Sequence, residues 1–228
     1  MDFCGLQKLT LLDFPGHMAC TVFTGGCNLR CPFCHNGGLV LSPEDLFSEE
    51  EVLAFLKSRK GILEGICVTG GEPLLHPELE SFLLSVKDLG YPIKLDTNGT
   101  FPQRLKEFVE KGLVDYVAMD VKNCREKYGM TVGLSDFDLA PVEESISFLL
   151  KGTVPYEFRT TVVRQLHTES DIEALSQWIA GAQKYALQSF VDSGAVLSSG
   201  LSAWDKETLC RMAEIARKHL PNVELRGV

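Results

Sequence analysis

The chain has 228 residues, 45% of them hydrophobic, eight cysteines and a formal net charge of −9. That length and apolar content suit one sizeable core and a single domain over residues 1–228, and the acidic balance argues against general affinity for nucleic acid or an anionic membrane. No run of eighteen apolar residues occurs and the N-terminus lacks the basic, apolar, small-residue order of a secretory leader, so we expect a cytoplasmic protein whose thiols meet a reducing compartment.

Residues 1–16 hold an apolar segment, Leu6 to Gly16, closed by a Pro-Gly turn, and read as a small strand or hairpin ahead of the main fold. Ala19 to Phe23 then predicts a strand that hands over, through Thr24-Gly25-Gly26, to Cys27-Asn28-Leu29-Arg30-Cys31-Pro32-Phe33-Cys34-His35-Asn36. Three thiols in one loop point to a metal. Soft thiolates favour zinc, copper(I) or iron–sulfur, and a structural zinc site wants four ligands, usually as two separated pairs. No second pair exists: Cys4, Cys20, Cys67, Cys124 and Cys210 stand alone, and His35 is too close in sequence to Cys34 to share a tetrahedral centre comfortably. A four-iron cluster normally takes four cysteines, so three would leave one iron open to a small molecule. The bland alternative is three packing or disulfide-prone cysteines.

Further along, Ser48 with Glu51 forms a capping-box pattern, and Val52, Phe55 and Leu56 recur on one helical face. Ile62 to Thr69 predicts a strand. Pro77 to Leu89 predicts a helix with Leu79, Phe82, Leu83 and Val86 inward, stopped at Gly90. The alternation continues with strands at Ile93 to Asp96, Val114 to Val121, Tyr156 to Val163, Tyr185 to Phe190 and Val223 to Leu225. The intervening helices run Pro102 to Lys111, Pro141 to Lys151, Glu169 to Gly181 and Asp205 to His219. Such alternation means βα units around a parallel sheet. Six units are too few for the closed eight-unit barrel, so the expected fold is α/β, a partial (βα)6 barrel. Chemistry on parallel sheets gathers where strands end. Polar groups do follow the apolar runs: Thr69-Gly70-Gly71-Glu72-Pro73, Asp96-Thr97-Asn98-Gly99, Asp120-Val121-Lys122, Arg159 to Val163 and Gln188-Ser189-Phe190.

The spacing Cys27-x3-Cys31-x2-Cys34, with Phe33 before the third cysteine, resembles the radical S-adenosylmethionine superfamily. That resemblance implies the partial-barrel fold, a [4Fe-4S] cluster on Cys27, Cys31 and Cys34, and S-adenosylmethionine chelated to the open iron. It further implies that Phe33 packs on the adenine, with main-chain groups near His35 reading its edge. Gly70, Gly71 and Glu72 would hold the methionyl ammonium, while Asp96, Thr97, Asn98, Asp120 and Lys122 would face ribose and methionyl carboxylate. Arg159 would lie near the cofactor, and in some members the two aspartates hold a monovalent cation. Each has a plainer reading: Gly-Gly-Glu-Pro and Asn98-Gly99 as turns, Lys122 as a solvated charge, Arg159 in an ion pair.

A narrower resemblance, to anaerobic ribonucleoside-triphosphate reductase activating proteins, rests on Leu6 to Gly16, Cys20 to Thr24, Cys34-His35-Asn36, Lys94 to Gly99, Val114 to Asp120 and Tyr156 to Val163. It implies hydrogen abstraction from a glycine of a partner glycyl radical enzyme, and a low-potential electron donor such as flavodoxin or ferredoxin. The chain departs from that pattern at Arg164-Gln165 and at Gln188 to Ser199, loops that could touch the partner. Alternatives are a small-molecule enzyme of the same superfamily, as in 7-carboxy-7-deazaguanine synthases, and a zinc-binding module. No side-chain acid or base is expected, and no hydrolase motif is present. His17, His76, His167 and His219 read as solvated or capping residues, and Cys20 and Cys67 as core.

Overall fold

The computed structural model describes every residue except Asp45, Ser193 and Ala195. Apolar runs rich in β-branched residues become strands: β1 (Asp2–Phe3), β2 (Gly5–Thr10), β3 (Ala19–Thr24), β4 (Phe47–Ser48), β5 (Gly65–Gly70), β6 (Ile93–Thr97), β7 (Tyr116–Asp120), β8 (Tyr156–Val162), β9 (Tyr185–Ser189) and β10 (Val223–Arg226). Between them lie α1 (Gly37–Leu41), α2 (Glu49–Ser58), α3 (Leu79–Asp88), α4 (Pro102–Glu110), α5 (Tyr128–Thr131), α6 (Ala140–Leu149), α7 (Glu169–Trp178) and α8 (Lys206–Arg217).

One sheet has the order β10-β9-β8-β7-β6-β5-β3-β2. Every neighbouring pair from β3 to β10 is parallel, and only β2 runs antiparallel, against β3. Six crossovers thus join seven parallel strands, and the sheet stays open between β10 and β2, as a partial barrel should. Residues 1–16, expected as a small strand or hairpin, supply β1 and β2; β2 pairs with β3 of the main sheet, while β1 pairs separately with β4.

Helix α2 starts where the capping box predicts, with Ser48 accepting from the Glu51 N–H and Glu51 accepting from the Ser48 N–H. Its Val52 and Leu56 are buried, and Phe55 only half-buried. Leu79, Phe82, Leu83 and Val86 of α3 are fully buried. Strand β5 starts three residues later than Ile62, because the Ile62 and Leu63 N–H groups bond back to the Arg59 carbonyl in a turn. The short elements β1, β4, α1 and α5 escaped the sequence reading, since a few residues carry no periodicity.

Strand side chains that face the lumen are largely polar. Ala118 is the register partner of both Asp96 and Glu157, and Ala186 of Arg159, so small residues make room for long charged ones. At the lower end Glu157, 2% exposed, is held by Arg226 at 2.8 Å and Lys184 at 3.3 Å. Higher up, Arg159 bridges Asp96 at 3.0 Å and Asp120 at 2.9 Å.

Candidate active site

The cysteine loop leaves β3 and is tied down mainly through its backbone. The Gly26 N–H donates to Leu39 O at 2.7 Å, Arg30 N–H to Val132 O at 2.9 Å, and Cys34 N–H to Cys31 O at 3.0 Å. From the neighbouring strand, Glu72 N–H donates to Gly26 O at 2.9 Å. This close approach explains the glycine pair at the end of β5. A Cβ on Gly71 would stand 1.7 Å from the Gly26 carbonyl oxygen, and Gly70 has φ +121°, a conformation only glycine adopts readily.

All the site residues named from the sequence except Glu72 line a single cleft at the carboxyl ends of the strands. Cys27, Cys31, Cys34 and Phe33 form one wall; Gly70, Gly71, Asp96, Thr97 and Asn98 another; and Asp120, Lys122 and Arg159 the floor, joined by Thr161 and Gln188. Glu72 stands behind the wall with no exposed surface. Its carboxylate accepts from Leu74 N–H at 3.1 Å, Thr97 Oγ1 at 2.8 Å and Asn98 N–H at 2.7 Å, so it braces the β6 exit. Burial pushes its carboxyl up to about 7 while those three donors pull the other way.

On the floor, burial disfavours both aspartates' charge, but Arg159 with Lys94 holds Asp96, and Arg159 with Lys122 holds Asp120, below the ordinary carboxylate range. Lys122 lies 2.8 Å from Asp120, and although burial works against its charge, Asp120 keeps it raised. It is therefore a buried paired cation and not a solvated one. Arg159 is in the ion pairs of its plainer reading and in the cleft as well. At the cleft surface Asp96 and Asp120 are thus paired with Arg159 and Lys122, whose outward donors can still meet an anionic group.

Among the described residues, no three His, Cys, Asp or Glu side chains converge as ligands of one metal ion do. The three thiols nonetheless share a cleft wall. Thiolates on three different irons of a cluster need not converge on one point as the ligands of one ion do, so three thiols lining one cleft are compatible with an iron–sulfur cube. Burial raises the Cys27 thiol and pushes Cys31 up to about 11, with Lys122 opposing both. A bound metal displaces such protons outright.

His167, expected from the sequence to be solvated or capping, is a core side chain. It is wholly buried: its Nδ1 accepts from Val163 N–H at 3.1 Å, which leaves Nε2 to donate to the Lys122 carbonyl at 2.8 Å. Burial lowers its pKa, fixing the neutral ring. Its edge-to-face partner, at 6.5 Å between centroids, is Phe33. The available signal was position, since His167 closely follows β8 where other strand ends carry site residues. Cys20 and Cys67 are fully buried, as expected of core. Residues Ser193 and Ala195, within the divergent Gln188 to Ser199 segment, lie outside the described residues.

The sequence pattern of the Radical SAM superfamily matches residues 21–179. A Methanocaldococcus jannaschii protein named for glycyl-radical enzyme activation is 31% identical over 98% of this chain and 95% of its own length. A 7-carboxy-7-deazaguanine synthase of Koribacter versatilis is 30% identical over 65% of this chain and 63% of its own. Among solved structures, a domain of pyruvate-formate lyase-activating enzyme from Bacteroides vulgatus superposes with a TM-score of 0.59 at 18% identity, over 72% of this chain and 99% of that one. At that identity the likeness concerns the fold.

Proposed function

Because the chain belongs to the Radical SAM superfamily, we propose that it is a glycyl-radical-enzyme activase, which removes a hydrogen atom from a backbone glycine of a partner protein. The observation that carries this reading is the likeness, along nearly the whole of both chains, to the Methanocaldococcus jannaschii protein. When bound, a [4Fe-4S] cluster and S-adenosylmethionine supply the one-electron chemistry. The chain's own residues bind, orient and exclude water.

In this reading Cys27, Cys31 and Cys34 would hold the cluster, three protein ligands where four are usual. Lys122 and Arg159 on the floor would receive the methionyl carboxylate, and main-chain groups of Gly70 and Gly71 the ammonium. Asp96, Thr97 and Asn98 face the ribose, and Phe33 the adenine beside the main chain of His35. The space between Asp96 and Asp120, where some relatives hold a monovalent cation, is spanned here by the Arg159 guanidinium. The chain thus supplies that positive charge itself.

We assign the partner to the anaerobic ribonucleotide reductase class, on the segments Leu6 to Gly16, Lys94 to Gly99 and Tyr156 to Val163, with flavodoxin or ferredoxin as reductant. The test combines reconstituted, reduced protein with S-adenosylmethionine and the glycyl radical enzymes of the source organism. The expected result is deoxyadenosine together with a glycyl radical signal on one partner, both abolished by Cys27→Ala, Cys31→Ala or Cys34→Ala. Deoxyadenosine without a radical on any partner would overturn the activase reading. It would favour the small-molecule alternative that the synthase likeness supports.

A further inference from the structure

Asn98 projects from the exit of β6, and its amide has a single orientation. Oδ1 accepts from the Thr100 N–H at 3.0 Å and from Thr100 Oγ1 at 2.6 Å. Nδ2 donates to Asn28 Oδ1 at 3.0 Å, and Asn28 Nδ2 donates in turn to Thr100 Oγ1 at 2.9 Å. The three side chains therefore close a ring of hydrogen bonds. Turning the Asn98 amide over would set oxygen against oxygen at Asn28 and donor against donor at Thr100. The Asn98 N–H is separately anchored on the buried Glu72 carboxylate.

One hydrogen of Nδ2 remains, and Cys27 Sγ lies 3.8 Å away to receive it. The same sulfur accepts the Leu29 N–H at 3.4 Å. The Cys27 thiol in turn lies 4.0 Å from Asn28 Oδ1, to which its S–H donates, a contact that a metal-bound thiolate, having no proton, does not make. Among the described residues, neither Cys31 Sγ nor Cys34 Sγ has a comparable donor, so the three thiolates are inequivalent.

We propose that Asn98, aimed by Asn28 and Thr100, is a positioning residue that donates to the Cys27 thiolate and raises the reduction potential of the cluster held there. Reduction adds one electron, taken from the low-potential donor, and so adds negative charge to the cluster and its sulfurs. An N–H dipole with its positive end on one of those sulfurs stabilises that added charge. The donor can then load a centre that would otherwise be harder to reduce. This inference rests on the cluster and not on the identity of the substrate, so it survives if the activase reading fails.

The experiment is an anaerobic redox titration of the reconstituted full chain, without cofactor or partner, followed by electron paramagnetic resonance. Asn98→Leu should move the midpoint potential to more negative values at unchanged iron and sulfide content. Thr100→Val, which keeps the amide but opens the ring, should move it the same way by less. Asn98→Asp, which sets a carboxylate against the sulfur, should move it furthest. An Asn98→Leu potential equal to the parent's overturns the proposal. If that variant assembles no cluster, Thr100→Val decides: a more negative potential supports the aimed donor, and an unchanged one overturns it.

Discussion

Glu72 shows how one side chain can be legible as to place while its contacts are not. Its position after two glycines at a strand end marked it for the site, yet the Gly26 carbonyl draws the chain so close that the carboxylate turns inward to three donors. With its carboxyl raised to about 7 in the fold against an ordinary 4.5, the charged form is the costly one. Its contribution to stability is therefore full below about pH 4.5 and fades as the pH climbs through 7. Urea unfolding of the apoprotein and of Glu72→Gln should show the parent's margin over the variant shrinking across that interval, by ~3 kcal/mol at most. A margin that does not change with pH would refute it. His167 teaches the converse. A lone histidine says nothing by its identity, and only the fold reveals that its two ring nitrogens join the exits of β7 and β8.

At the scale of elements, that link makes a prediction. His167→Phe keeps a ring edge against Phe33 but strands the buried Lys122 carbonyl and Val163 N–H, at a cost of about 1–3 kcal/mol each. We expect lower thermal stability and an S-adenosylmethionine affinity weakened at least about tenfold, which corresponds to roughly 1.4 kcal/mol, with iron content unchanged. Equilibrium dialysis of the reconstituted protein checks this, and an unaltered affinity would confine His167 to packing. Most elements were readable because they are long enough to show a period. The Ser48 capping box and the inward face of α3 are cases where local and global signals agree. What escaped was either too short, as with α1, or fixed by remote contacts, as where Val132 just beyond α5 receives the Arg30 N–H of the cysteine loop.

Across the whole molecule the sheet keeps one period-2 pattern, and the lumen inverts its usual content, being filled with Lys94, Asp96, Asp120, Glu157, Arg159 and Arg226. That the polar residues would meet at one mouth was readable from where they followed apolar runs. That they would neutralise one another was not, because the pairing of Asp96 with Arg159 spans 63 residues. With Arg159 seated between the aspartates, cofactor binding by the loaded protein should change less than about twofold between a tetramethylammonium buffer and an equimolar sodium or potassium buffer, ionic strength held constant. A tenfold gain with either metal ion would show that the guanidinium yields its seat.

The bed of paired charges beneath the cleft also makes the barrel a blind alley. The mouth at the strand ends is then the natural way in and out. On the proposed activase reading, a bulky partner that arrives last shuts the spent nucleoside in behind it until it withdraws, and turnover inherits a fixed order of arrivals and departures.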